Sequence, residues 1–436
     1  MGSRCAFPIA KADSPQVIVE SEAPILIIGA CQAGVQIAES LRQEGFAGAL
    51  QLLGEEPHPP YQRPPLSKKW LVEAGPTSAL ALRGREALAR RHIELRLDTR
   101  VTAIDRPKRE LQLASGERLR YSKLAIATGS LPRQLPVPGA SLAGVMALRG
   151  IADSLAIGAA IRRCALDGQP VVVIGGGFIG LEVAASARKL NAAVTVLEGL
   201  PRLMSRVTAP IVSEAFAVLH RAHQVQLQLD AQVEEIVGRE GRVVAVRTAD
   251  GQEYPAGCVI VGIGVQPDDM LAVSAGLLCE RGIVVDECSR TSDALIVAAG
   301  DCTARRLPNG ELVRLESVQN AVEQAKSAAA ALMGRERPFV CAPWFWSDQY
   351  DVKLQMVGLS QGYDKVVTRG DLSKPAFSAF YFAQGRLLAV DSLSRAADHM
   401  QAKRLLDRGI SPTPAQAADP SFDLQSLLKE ATAGEA

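Results

Sequence analysis

The chain is predicted to be an α/β protein: two Rossmann-like dinucleotide-binding domains followed by a smaller α+β domain. Three observations carry this reading. At 436 residues the chain is too long for one ordinary hydrophobic core. ILIIGACQAG at 25–34 and VVVIGGGFIG at 171–180 each join a short apolar run to a Gly-rich turn, so the same unit occurs twice. From Pro343 onward the composition changes, with Trp344 and Trp346 close together among strand-like segments.

Residues 1–23 contain Arg4 but no apolar h-region, so they read as an extension rather than a secretory signal. In the first unit an amphipathic helix over 35–44 and an apolar strand over 49–53 follow the turn, which makes a βαβ motif. A Pro-rich loop comes next (58–65), then a hairpin pairing 111–113 with 118–121. A strand over 123–127 runs into Thr128-Gly129. The second unit repeats the order, with a helix over 181–190, a strand over 193–197, a hairpin at Asp250-Gly251 and a strand over 258–262. Strands over 283–285 and 295–298 then lead to Gly300-Asp301 and an Ala-rich helix near 317–333. The expected domains are therefore 24–140 with 263–338, 141–262, and 339–412. Residues 413–436 form a tail, expected to be partly disordered because 411–436 is rich in Ala, Pro and Ser.

Composition narrows the function. Hydrophobic residues at 47% and charged residues at 22% describe a globular enzyme, and a net charge of +1 gives no case for nucleic acid. No apolar run approaches the roughly 20 residues that span a bilayer, so a cytoplasmic protein is expected. The eight cysteines contain no CxxC pair, which argues against a zinc or cluster site and against a disulfide-reducing centre.

A Gly-rich turn opening a helix presents backbone N–H groups and the positive end of the helix dipole to a pyrophosphate. An acidic residue about 20 positions on accepts from ribose hydroxyls. The second copy meets every requirement: Gly175, Gly177 and Gly180, with Phe178 and Ile179 between, and Glu198 at the end of the next strand. The first copy has Gly29, Ala33 and Gly34 with Glu55 beyond, but Cys31 replaces the middle glycine. A redox role for Cys31 competes with simple tolerance of a small side chain, and no resolving cysteine lies nearby. Glu198 repels the 2′-phosphate of NADPH, so NADH is the expected nicotinamide; Arg202, four residues on, could rescue some NADPH use.

The order GxxxxG, RPPLSK, ATG, GGGFIGLE, VGIGVQP, AAGD and WFWSDQY resembles the FAD-dependent, NADH-linked ferredoxin reductases of the putidaredoxin-reductase and biphenyl-dioxygenase-reductase type, over about residues 24–410. The resemblance implies a glutathione-reductase-like fold with FAD in the first site, NADH in the second and the C-terminal domain over the flavin. It implies that Lys68 lies beside the flavin ring, paired with Glu182, and that Asp301 holds the ribityl chain. Trp346, with Trp344 as second choice, is placed at the flavin edge. Arg63, Ala127, Thr128, Gly129 and Val318 are further FAD contacts, and Gly264 belongs to the NADH side. Ser394-Arg395 departs from the pattern, in which Asn more often precedes Arg. The implied activity takes a hydride from NADH and passes single electrons to a 2Fe-2S ferredoxin serving a bacterial oxygenase. Two other readings share the fold: an NADH oxidase or peroxidase, which needs a cysteine beside the flavin, and an NADH-sensing protein resembling apoptosis-inducing factor. Basic clusters at 83–91 and 403–408 are candidate docking surfaces against a plainer reading as solvated helix faces.

Overall fold

The computed structural model describes residues 23–307, 310–339 and 341–434, so the N-terminal extension lies almost wholly outside the described residues. The first unit comprises β1 (Ile25–Ile28), α1 (Gln32–Gln43), β2 (Leu50–Leu53), β3 (Glu94–Arg96) and β4 (Lys123–Ile126). The second comprises β5 (Val145–Ala147), β6 (Val171–Ile174), α2 (Phe178–Lys189), β7 (Val194–Leu197), α3 (Pro210–Ala222), β8 (Val225–Gln228) and β9 (Cys258–Val261). The chain then returns to the first sheet as β10 (Ile296–Ala298). Strand orders are β10-β4-β1-β2-β3 and β8-β7-β6-β9-β5, parallel throughout. In each sheet the connections reverse direction at the central strand, and the Gly-rich turn sits at that strand's C-terminal end, where doubly wound sheets open a crevice.

All four residues of β1 and all four of β6 are buried. Alternate residues serve opposite faces: Ile25 and Ile27 join the core under α1, whereas Leu26 and Ile28 join a second core across the sheet. Val171 and Val173, against Val172 and Ile174, repeat the division. Uninterrupted apolar runs are what a parallel strand covered on both faces requires.

The Ala-rich helix α4 (Val318–Leu332) shares the core of α1, with Ala321, Ala325 and Ala328 in the contact. After it comes an antiparallel sheet of β11 (Trp344–Gln349), β12 (Val352–Gly358), β13 (Lys365–Asp371), β14 (Ala376–Ala383) and β15 (Arg386–Leu393), in the order β11-β12-β15-β14-β13. Helix α5 (Ala396–Asp407) covers it. The segment read from composition as a partly disordered tail instead forms α6 (Pro414–Ala418) and α7 (Leu424–Gly434), and Ala417 and Leu424 lie fully buried in the same core as α5. Composition misled because a few apolar residues at helical spacing suffice when a partner surface already exists.

The C-terminal sheet and the second dinucleotide domain also share one core, in which Leu354, Phe377 and Tyr381 meet Leu203, Val212 and Phe216. At that boundary the Ala209 N–H donates to the Tyr381 hydroxyl at 2.9 Å, and this hydroxyl donates to the buried Asp391 carboxyl. Burial pushes the Asp391 carboxyl up from 3.8 to about 7, against the opposing effect of the Tyr381 hydrogen bond. The folded chain therefore binds more protons here than the unfolded chain across that window. This contribution to stability is complete below the unfolded value and is lost as pH rises towards 7, a range worth about 4 kcal/mol at most. Asp391→Asn is expected to narrow the difference in melting temperature between pH 5 and pH 8; thermal unfolding at the two values, with an undiminished gap, would refute the assignment. Among the described residues, no helix is long and apolar enough to cross a membrane.

Candidate functional site

The two Gly-rich turns have matching backbones. Gly29 and Gly175 both have φ of +108°, and a Cβ would lie 2.1 Å from the Ala127 carbonyl oxygen at the first and 2.5 Å from the Gly262 carbonyl oxygen at the second. A Cβ on Gly34 would lie 1.9 Å from the Gly29 oxygen, and one on Gly180 would lie 2.1 Å from the Gly175 oxygen. These four glycines are thus required by close approach of helix to strand. The middle position differs: Cys31 has φ −130°, extended backbone open to any residue, and its thiol faces the Tyr61 carbonyl oxygen at 3.8 Å. Cys31 is tolerated for that reason. Neither Cys31 nor Gly177 caps its helix with a side chain, so the first-turn N–H groups of α1 and α2 are left to a ligand.

Beyond the first turn lies a cavity of about 940 Å³. It gathers Gly29, Cys31, Ala33, Glu55, Arg63, Lys68, Ala127, Thr128, Gly129, Asp301 and Val318, the candidates expected for FAD. Phe178, Ile179 and Glu182 reach it from α2, and Trp346 reaches it from β11. Gly34, Gly175, Gly177, Gly180, Glu198 and Gly264 do not line it. Trp344 also stays out of the lining, its ring tilted against Trp346 at 5.5 Å between centroids and packed on the C-terminal core. Cys31 is the only cysteine among the described lining residues, so no dithiol pair faces the cavity.

Lys68 and Glu182 meet as the resemblance implied. The Lys68 ammonium lies 2.9 Å from the Glu182 carboxylate, and the two side chains are only 18% and 4% exposed. Ser67 donates to one Glu182 oxygen at 2.5 Å and Ser347 donates to the other at 2.6 Å. Both serines lie within RPPLSK and WFWSDQY but were given no separate role, because a serine carries no signal until its partner is known.

Arg63 is more committed than expected. It holds the Glu56 carboxylate at 2.6 Å, the Tyr61 hydroxyl at 2.9 Å and the Arg149 carbonyl at 2.8 Å, which fastens the Pro-rich loop. Burial works against its charge, but Cys31, Tyr61 and Glu56 hold it above its ordinary value. Its Nε–H is buried without a protein acceptor. Arg149 was missed in the sequence. Its guanidinium lines the cavity beside Gly129, and among the described residues no carboxylate lies within ion-pair distance. Burial, then the nearby Arg63, hold it below its ordinary value, while Asp301 opposes them. Burial likewise pushes the Asp301 carboxyl up, against Arg149 and a 3.0 Å hydrogen bond from Ser130. Unpaired half-buried cation, orphaned N–H and uncapped helix start together suit a ligand carrying phosphates, and FAD fits the site on this ground.

In the second domain Glu198 accepts from the Gly176 N–H at 2.6 Å and the Leu200 N–H at 2.9 Å. Arg202 does not face it as a free cation: its guanidinium donates to Thr208 at 2.6 Å, Ser213 at 2.8 Å and Ser205 at 2.7 Å. The basic clusters are likewise partly neutralised, with Arg83 and Arg91 both on Glu39 at 2.7 and 2.8 Å, and Lys403 on Asp407.

Residues 23–325 match the pyridine nucleotide-disulphide oxidoreductase family, and residues 344–428 match a reductase C-terminal domain. Rhodocoxin reductase of Rhodococcus erythropolis is 44% identical over 93% of this chain and 94% of its own. A crystal structure of a ferredoxin reductase from Rhodopseudomonas palustris superposes with TM-score 0.89 at 43% identity, covering 92% of this chain and 99% of that one. Putidaredoxin reductase, solved in a covalent complex with putidaredoxin, superposes with TM-score 0.89 at 41% identity, covering 94% and 99%.

Proposed function

We propose, for a chain that belongs to the pyridine nucleotide-disulphide oxidoreductase family and uses FAD and NAD(H), that it oxidises NADH and passes the two electrons singly to a 2Fe-2S ferredoxin serving a bacterial oxygenase in the cytoplasm. The net reaction converts one NADH and two oxidised ferredoxins into NAD+, two reduced ferredoxins and a proton. The observation that carries this reading is the single cavity where the first Gly turn, the Lys68–Glu182 pair and aromatic residues of the C-terminal sheet converge. A ferredoxin as acceptor is taken from putidaredoxin reductase, solved together with putidaredoxin.

Bound FAD supplies the change from two-electron to one-electron chemistry. The N–H groups at the start of α1, with Arg149 beside them, would hold its phosphates; Glu55 would hold the adenosine ribose and Asp301 the ribityl chain. Lys68 puts a positive charge in a half-dry wall of the cavity, where charge arriving with a hydride is stabilised, and Glu182 holds that charge in place. The N–H groups at the start of α2 would receive the NADH pyrophosphate and Glu198 its ribose. Phe178 and Phe345, with ring centroids 4.7 Å apart, close the wall between α2 and β11 and help keep water out. Trp346, on the same wall, borders the exit towards the ferredoxin.

The deciding experiment is NADH-driven cytochrome c reduction by the FAD-loaded protein, with and without a 2Fe-2S bacterial ferredoxin. Stimulation of about tenfold or more is expected from an electron carrier with typical turnover. Rapid flavin bleaching by NADH without any stimulation by several such ferredoxins would overturn the assignment.

A further inference from the structure

A series of buried polar side chains stands behind the Lys68–Glu182 pair. His220 on α3 is fully buried, far in sequence from the cavity-lining residues of α2, and its Nε2 lies 2.8 Å from Gln349 Oε1. Gln349 Nε2 lies 3.2 Å from Ser347 Oγ, and Ser347 Oγ lies 2.6 Å from Glu182 Oε1. Gln349 and Ser347 are two apart on β11 and so share a face, and both are fully buried. The chain of bonds thus runs from α3 through the C-terminal sheet to α2, ending on the carboxylate that pairs with Lys68.

The direction of every bond follows from its end. A carboxylate paired with an ammonium only accepts, so Ser347 donates to Glu182 and its own oxygen is left to accept from the Gln349 amide N–H. The Gln349 carbonyl then accepts, which requires the His220 proton on Nε2. Nδ1 is left as an acceptor for the Tyr350 hydroxyl, 3.5 Å away. Burial lowers His220 to about 4, with the Gln349 hydrogen bond opposing and His223 adding to the fall, so the ring is neutral near pH 7, as this order needs. A carboxamide in the middle passes no proton by a simple hop, so the series acts as a row of fixed dipoles.

We propose that His220, Gln349 and Ser347 are positioning residues that orient Glu182, and through it Lys68, from the C-terminal domain. The inference rests on the roles given to Lys68 and Glu182 above. Each bond from His220 to Glu182 joins buried groups, so removing one link leaves the next without a partner and loosens the hold on Glu182 Oε1, while Lys68 and Ser67 keep Oε2. Tyr350, stacked on His223 with centroids 3.6 Å apart, closes the outer end of the series.

Gln349→Leu and Ser347→Ala, prepared as FAD-loaded proteins, test this beside Glu182→Gln. Two quantities are read: the rate of flavin bleaching by NADH in stopped flow and the flavin midpoint potential. Both variants are expected to slow bleaching roughly tenfold at saturating NADH, the scale of a small misplacement of a reacting group. They should also move the potential in the same direction as Glu182→Gln, by less, with FAD content and KM for NADH little changed. Ser347→Thr, which keeps the hydroxyl, should restore both. If Gln349→Leu does not fold, Ser347→Ala with its threonine rescue decides alone. Wild-type rate and potential in these variants, while Glu182→Gln alters both, overturn the relay; an inert Glu182→Gln overturns the role of the ion pair as well.

Discussion

Lys68→Met is expected to slow reduction by NADH about a hundredfold while the protein retains FAD. The ammonium lies 2.9 Å from a Glu182 carboxylate that is only 4% exposed. Removing one member of a buried pair leaves the other charge uncompensated, an effect of about 3–5 kcal/mol in comparable cases. Here the remaining charge is negative, and among the described residues the Ser67 and Ser347 hydroxyls are what donate to it. A hydride brings further negative charge to the same wall, so the substitution opposes the transfer twice. The double change Lys68→Met with Glu182→Gln should therefore be faster than Lys68→Met alone, because the stranded carboxylate is gone. Stopped-flow bleaching by NADH measures both. A single variant within twofold of wild type would sink the role given to Lys68.

Glu198→Arg is expected to shift the ratio of kcat/KM for NADH over NADPH by at least a hundredfold towards NADPH. The carboxylate closes β7 and takes the Gly176 and Leu200 N–H groups, so it both shapes the turn and sets its charge. Activity with NADH should fall for the first reason and tolerance of a 2′-phosphate should rise for the second. Glu198→Gln separates them, since an amide oxygen still accepts from the turn but no longer repels phosphate. In the wild type the Arg202 guanidinium is engaged by Thr208, Ser205 and Ser213. An unchanged ratio in Glu198→Arg, measured with both nucleotides, would remove Glu198 from the ribose site.

The two dinucleotide units, their turns and their strand limits were legible because their causes are local. Gly29 and Gly175 are needed for a positive φ, and the runs at 25–28 and 171–174 are apolar because both faces of each strand are covered. Lys68 and Glu182 could be paired from sequence only through the family pattern, and nothing in their spacing brings them within 2.9 Å. Arg149 was invisible because an isolated arginine between two motifs looks like any surface cation until its burial and lack of a carboxylate partner are known. The helices over 414–418 and 424–434 were missed because their order depends on a sheet built by earlier residues.

By itself, then, the sequence determined the two Gly-rich turns and the carboxylate that ends the strand after the second of them, since turn geometry and side-chain charge act within a few residues. Only the tertiary structure decided how those sites are completed. Ser347 reaches Glu182 across 165 positions and His220 reaches Gln349 across 129. The side chains of the C-terminal sheet enter the first cavity because that sheet shares a core with the second domain. Contacts of that kind arise from packing of whole elements, whose free energy is spread over many apolar side chains and leaves no motif at the residues it brings together.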